Sequence, residues 1–245
     1  MYSDIVTTFA QNAHEVEQLI DFDRDVVTIM IQSLESLKSD VPPQVHSLNG
    51  RIDRVIQIIT NIRDNESLKS KYETVCNQAV VLLVSYFSSA LGELFRKAVS
   101  DALENEENKI LLDEEIKITF REIKERNWNI KGSAGDLVIA KKDLTFQDMQ
   151  STVRAFEAYV GVQIEKDART HNIILGQAAR HVIVHAGAQV TDRMLKQLVR
   201  VEPRSLKPYL VVGTPVVFTK QEVLLLKSEM SAFIDSLVGR LGGAK

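Results

Sequence analysis

Between Ser3 and Ser39, apolar residues recur at three- and four-residue steps: Ile5, Phe9, Ala13, Val16, Ile20, Val27, Met30, Leu34 and Leu37. That period predicts one long amphipathic helix. Val41-Pro42-Pro43 ends it, because a proline ring cannot continue the hydrogen-bond ladder. A second helical pattern runs through Ile52, Val55, Ile56, Ile59 and Ile62 and closes near Arg63-Asp64-Asn65-Glu66. Residues 1 to 65 therefore predict an antiparallel helical hairpin, read either as a coiled-coil-like appendage or as a dimerisation arm. Residues 66 to 245 form the second unit.

That unit opens with a third helix from about Ser67 to Leu103, followed by the acidic turn Glu104 to Asn108. A shorter amphipathic pattern covers Leu111 to Glu125. The segment from Asn127 to Asp136, with two glycines and the lone tryptophan, predicts a surface loop. Thr145 has the position of an N-cap, with Asp148 in the first turn, and predicts a helix of about four turns from Phe146. The next helix spans roughly Gln163 to Ala186, with Gly187 as its stop. Thr191 to Arg200 is a short helix, and Pro203, Pro208 and Pro215 break up the segment after it. Leu210 to Phe218 pairs as a small β-hairpin or stays extended. Finally, Thr219-Lys-Gln-Glu222 is a capping box before a last helix ending near Leu241. The fold class expected is all-α, a helical bundle with a long N-terminal hairpin.

Composition narrows the setting. A hydrophobic content of 44% in 245 residues is enough for a sizeable core, and 11 Gly with 5 Pro disfavour a sandwich, barrel or disordered chain. The lone Cys76 excludes an internal disulfide framework and a cysteine-rich zinc site, and fits a reducing cytoplasm. No secretory signal is read at the N-terminus. Thr74 to Gly92 is uncharged over a length that could span a bilayer, yet Asn77, Gln78, Ser85, Ser88 and Ser89 interrupt it, so a central buried helix is expected and no membrane partner. Net charge is −3, but residues 160 to 210 hold eight Lys/Arg against four Asp/Glu. That stretch carries +4 and the remainder −7, the local imbalance that a polyanion site would need.

Within the basic stretch lies Gln177-Ala-Ala-Arg180-His181-Val-Ile-Val-His185-Ala-Gly187. An imidazole exchanges a proton near neutral pH and a guanidinium forks onto phosphate, which together suit phosphodiester cleavage. At about 100° per residue His181 and His185 share one helical face, whereas Arg180 lies about 140° from His185 and about 7.5 Å along the axis. One helix supplies half a site, and a two-fold dimer would supply the other half. Two other readings stay open. His181 and His185 have the i, i+4 spacing of a metal pair but without a zincin glutamate or a third ligand, so no metal is assigned; or Arg180 and His185 satisfy carbonyls in a helical core. No phosphate-cradling Gly-rich loop and no dinucleotide fingerprint occurs, so no nucleotide cofactor is assigned.

Arg180-His181-Val-Ile-Val-His185, with Gly187 and Val190 to Leu195 after it, resembles the Arg-x(4–6)-His motif of the HEPN superfamily. The order of an earlier apolar helix with Tyr86-Phe87, the motif, and then Val212-Gly-Thr-Pro-Val-Val-Phe-Thr219-x-x-Glu222 is similar to the standalone RiboL-PSP and MAE-type branch. The likeness covers about residues 70 to 240 and leaves the N-terminal hairpin outside. It implies an all-helical, metal-independent endoribonuclease working as a homodimer, often a toxin paired with an antitoxin protein or an antiviral-defence effector. It implies Arg180 and His185 as the catalytic pair. His181 is read as supporting them, and Arg169, Arg193, Lys196 and Arg200 of the basic stretch as RNA-binding cations. Many relatives carry a glutamate directly after the aromatic of the early helix, where this chain has Ser88. A catalytically idle helical dimer that binds RNA or a protein partner is the alternative expected.

Overall fold

The structure, a computed structural model, describes residues 2–40, 46–63, 69–104 and 109–243. Its helices among those residues are α1 (Ser3–Asp40), α2 (His46–Arg63), α3 (Lys69–Glu104), α4 (Lys109–Leu112), α5 (Phe120–Glu125), α6 (Ala134–Lys141), α7 (Met149–Val160), α8 (Ala168–His185), α9 (Asp192–Leu198) and α10 (Lys220–Gly243). The chain is all-α, as its periodicity predicts. The break expected at Val41 to Pro43, the residues after Arg63 and most of the acidic turn after Glu104 lie outside the described residues.

The uncharged run becomes the middle of α3, whose Val80, Leu83, Phe87, Leu91, Leu94, Phe95 and Val99 are wholly buried. By length and composition α3 could cross a membrane. Here it is the axis of the bundle, with α1, α6, α7, α8 and α10 packed around it. Phe87 meets Phe9 and Phe233 edge-on at 6.1 and 5.6 Å, which ties α1, α3 and α10 together. Tyr2 and, from α1, Phe9, Ala13, Val16 and Ile20 belong to the same core as α3. Asp21, bonded by Lys220 of α10 at 2.7 Å, and Arg24, over the ring of Tyr72 of α3, are the last contacts of α1 with the bundle among the described residues before it pairs with α2, where Lys38 bonds Asp53.

Local chemistry moves several expected boundaries. Phe146 does not begin a helix; its ring sits 5.2 Å from that of Phe95 in the core, and α7 starts at Met149 with Asp148 accepting from the Ser151 N–H. Asp167 caps α8 in the same way, accepting from Thr170, so that helix begins five residues later than its pattern suggests. Gly187 is its stop as expected, with φ +59°. Instead of one helix over Leu111 to Glu125, α4 ends at Leu112 and α5 starts at a Thr119–Glu122 capping box. The expected loop at Asn127 to Asp136 gives way to a 3₁₀ turn and α6, because Gly135 lets α6 lie directly on the backbone of α3 at Arg96.

No β-hairpin forms in Leu210 to Phe218. The Val190 N–H donates to Thr214 O and the Gly213 N–H to Val190 O, both at 2.9 Å, and the Val216 N–H donates to Ala188 O. The segment thus pairs with the residues after α8. Asn77 of α3, buried, completes its anchoring by donating to Val216 O at 2.8 Å and accepting from the Phe218 N–H at 3.0 Å. The Thr219–Glu222 capping box then starts α10 as expected.

Candidate nucleic-acid interface

A cleft of about 1500 Å³ opens between α3, α7, α8 and α9. The helix caps place its walls. Gln177 of α8 accepts from the Met149 N–H at 2.9 Å and so fixes the start of α7 against α8. Its amide nitrogen is then left buried with no partner among the described residues. On the third wall, Thr191 caps α9 by accepting from Met194, which aims Arg193 and Lys196 at the cleft.

Cations dominate the lining. Arg154 of α7, Lys166, Arg180 of α8, Arg193 and Lys196 of α9 and Arg200 beyond it all face the cleft, and none of the six has an ion-pair partner among the described residues. Three carboxylates lie there too, but Glu93 is held by Arg96 at 3.0 Å and Asp148 by its cap. Only Glu157 stays uncommitted among the described residues. Six positive charges without ion-pair partners among the described residues, against one uncommitted carboxylate, make the concavity electropositive. Ser85, Ser88 and Ser89 line the α3 wall with hydroxyls. Ser88, at the position of the glutamate that the family resemblance would lead one to expect, therefore does face the site, without an acid to offer.

The sequence cluster divides across the rim. Arg180 and His181 line the cleft, whereas His185 is exposed in the last turn of α8, one turn further out. Its ring centroid stands 5.0 Å from that of His181. Burial first, then repulsion from Arg193, His185 and Arg180, holds the His181 imidazole below its ordinary titration range. At neutral pH it is an uncharged donor and acceptor. The Nδ1 of His171, a further histidine of the lining, donates to Pro203 O at 3.0 Å, which leaves its Nε2 as an acceptor.

Of the four expected RNA-binding cations, Arg193, Lys196 and Arg200 gather in the cleft. Arg169 does not. It lies in the first turn of α8 and lines a separate hollow of about 200 Å³ beside Asp167, Glu165 and Arg240. Sequence reasoning assigns no site role to Arg154, Lys166, Gln177 or His171. Gln177 lies one helical turn before His181, and His171 two turns before Ala178 of the lining, so helical spacing alone places both on the cleft face of α8. Arg154 comes from α7, and nothing in the sequence brings it there. Among the described residues no three His, Cys, Asp or Glu side chains gather as a metal site requires. No known family model, curated protein or solved structure matches the chain.

Proposed function

We propose that this protein binds single-stranded RNA in the cleft and cleaves it without a metal, as a cytoplasmic HEPN-type endoribonuclease. The observation that carries this reading is the convergence of six Lys and Arg side chains, without carboxylate partners among the described residues, on one concave surface. Cations lying that close without counter-charges repel one another, and a polyphosphate backbone supplies what is missing. A single strand suits the cleft because it can thread between helices and offer its bases to the serine, glutamine and histidine groups of the walls.

In the proposed reaction, His185 removes the proton from a ribose 2′-hydroxyl, and the freed oxygen attacks the adjacent phosphorus. The bond from phosphorus to the 5′-oxygen breaks, and that oxygen takes a proton from His185 of a second copy. Arg180 stabilises the charge on the pentacovalent transition state, and neutral His181 orients the phosphate. The products are a 2′,3′-cyclic phosphate and a 5′-hydroxyl. Exposure of His185 supports a site completed across a homodimer. A toxin restrained by an antitoxin protein, or a defence effector, is the setting that the family resemblance suggests.

Incubation of the purified protein with RNA in excess chelator is expected to give these end groups, and His185→Ala to abolish them with an unchanged melting curve. Full activity of His185→Ala overturns the mechanism. One observation favours a second reading, a helical module that binds RNA or a partner protein without cutting. Within one protomer His185 stands outside the cleft that holds the cations. That reading predicts RNA binding with no cyclic phosphate at any protein concentration.

A further inference from the structure

From Leu19 onward, α1 carries a face that the bundle does not use. At about 100° per residue, Leu19, Phe22, Val26, Ile29, Met30 and Leu37 fall in one stripe about 100° wide, and all six are exposed. The same sector on the first half of α1, where the helix lies on the core, holds Asp4, Thr8, Gln11, Asn12 and Glu15. From Leu19 on, close to where the helix leaves the bundle, the sector turns from polar to mainly apolar, with Ser33 and Asp40 its polar members. A face selected only for solvent has no reason to change there.

Val55, Ile58 and Ile62 form a matching exposed stripe on α2, beside the row of Ile52, Ile56 and Ile59 that is covered or half-covered. On each helix the exposed stripe is displaced from the inward row in the same rotational sense. Because the two helices run antiparallel, equal displacements bring both stripes to the same side of the hairpin. Between two-fifths and three-fifths of each of the nine side chains is bare. Together they offer roughly 800 Å², the area that a stable interface of ordinary size buries on each partner.

Charge decides what fits. From Asp21 to Asp40, α1 carries five acidic and two basic residues, and α2 carries three arginines and one aspartate. A two-fold dimer that set α1 on α1 would oppose like charges, while one that sets α1 of each copy over α2 of the other opposes unlike ones. The bond between Lys38 and Asp53 fixes the relative level of the helices. Counting from it, Ile29 is level with Ile62 and Asp40 with Arg51, and Leu37 lies within one residue of the level of Val55. A two-fold axis running along the hairpin preserves these levels between copies.

We propose that the α1–α2 arm docks face to face on the same arm of a second copy of this chain, making a four-helix bundle in which α1 of each copy lies over α2 of the other. Apolar stripe meets apolar stripe, and Asp40 meets Arg51 across the axis. Both helical bundles then lie at the same end of the joined arms. This docking stands on the arm alone and holds whether or not the cleft binds RNA.

Light scattering on the full chain tests it: the expected mass is twice 27.6 kDa. Ile29→Glu and Ile58→Glu, both at exposed positions, are each expected to give a monomer with unchanged circular dichroism. Thr8→Glu, in the same sector on the polar half, keeps the dimer. A monomeric parent chain would leave the face to a different occupant and overturn the proposal, as would a dimer that survives both glutamate variants. The pairing has its own test. Asp40→Arg and Arg51→Asp are each expected to weaken self-association about tenfold, and an equimolar mixture of the two variants to restore it, because opposite charges then face each other in both of the symmetry-related pairs. No restoration overturns the α1-over-α2 arrangement.

Discussion

Protonating His181 means placing a charge in a half-buried site beside Arg193 and Arg180, and both circumstances hold its folded titration point below the ordinary 6.5. Folded protein therefore binds fewer protons than unfolded chain once pH drops below 6.5. Stability from this group is whole above that point and declines as pH falls toward the folded value. His181→Gln removes the term, so its melting temperature is expected to drop less than the parent's between pH 7 and pH 5. An equal drop in both proteins would show that other groups govern the acid limb. A phosphate between Arg180 and Arg193 would cancel their repulsion and let His181 take up a proton. RNA binding below neutral pH is thus expected to be accompanied by proton uptake, read by calorimetry in two buffers of different ionisation enthalpy. At Gly135 the constraint is steric. A Cβ there would lie 2.6 Å from the Arg96 Cα, and neither backbone can yield without parting α6 from α3. Gly135→Ala is expected to cost about 2 kcal/mol in denaturant unfolding, and a neutral result would mean that α6 is not seated on Arg96.

Among the elements, the stretch from Val212 to Phe218 depends most on a single distant residue. Asn77 satisfies Val216 O and the Phe218 N–H from the middle of α3, and both would be left buried and unpaired in Asn77→Leu. A loss of roughly 2 to 3 kcal/mol is expected, with faster hydrogen exchange at Val216 and Phe218; unchanged exchange there would refute the anchoring. The same contact explains what the sequence could and could not show. Periodicity and capping residues specify α1, α2, α3, α8, α9 and α10, because each buries a stripe that repeats in its own residues. Local residues allow either a β-hairpin or an extended segment at Leu210 to Phe218, and cannot decide because the partners of that segment are Ala188, Val190 and Asn77, far away in sequence. Phe146 misleads for a related reason. Its place is fixed by Phe95, some fifty residues earlier, rather than by Thr145 beside it. At the cleft, Arg180, His181, Arg193, Lys196 and Arg200 are legible as one basic stretch because they share α8, α9 and the turn after it. Arg169 falls outside because a helix of that length carries its two ends to different surfaces.

At the scale of the whole molecule the cleft makes a quantitative demand on RNA binding. Its six cations without an ion-pair partner among the described residues come from three helices and two connecting segments, so their convergence exists only in the folded chain. Each phosphate contact with a single strand contributes about 0.7 to the slope of log affinity against log salt concentration. Arg193, Lys196 and Arg200 supply half of the six, all from α9 and the turn after it. Replacing these three with alanine is expected to lower the magnitude of that slope by about 2. Affinity at low salt should fall with it, and the melting temperature should stay unchanged, because all three side chains are exposed and make no ion pair among the described residues. Arg169→Ala, on the separate hollow at the other end of α8, is expected to leave the slope as it was. A slope insensitive to the triple replacement would place RNA elsewhere on the molecule, or nowhere on it. A slope that changed equally with Arg169→Ala would mean that the protein answers to its overall charge, and the cleft would lose its claim to be the site.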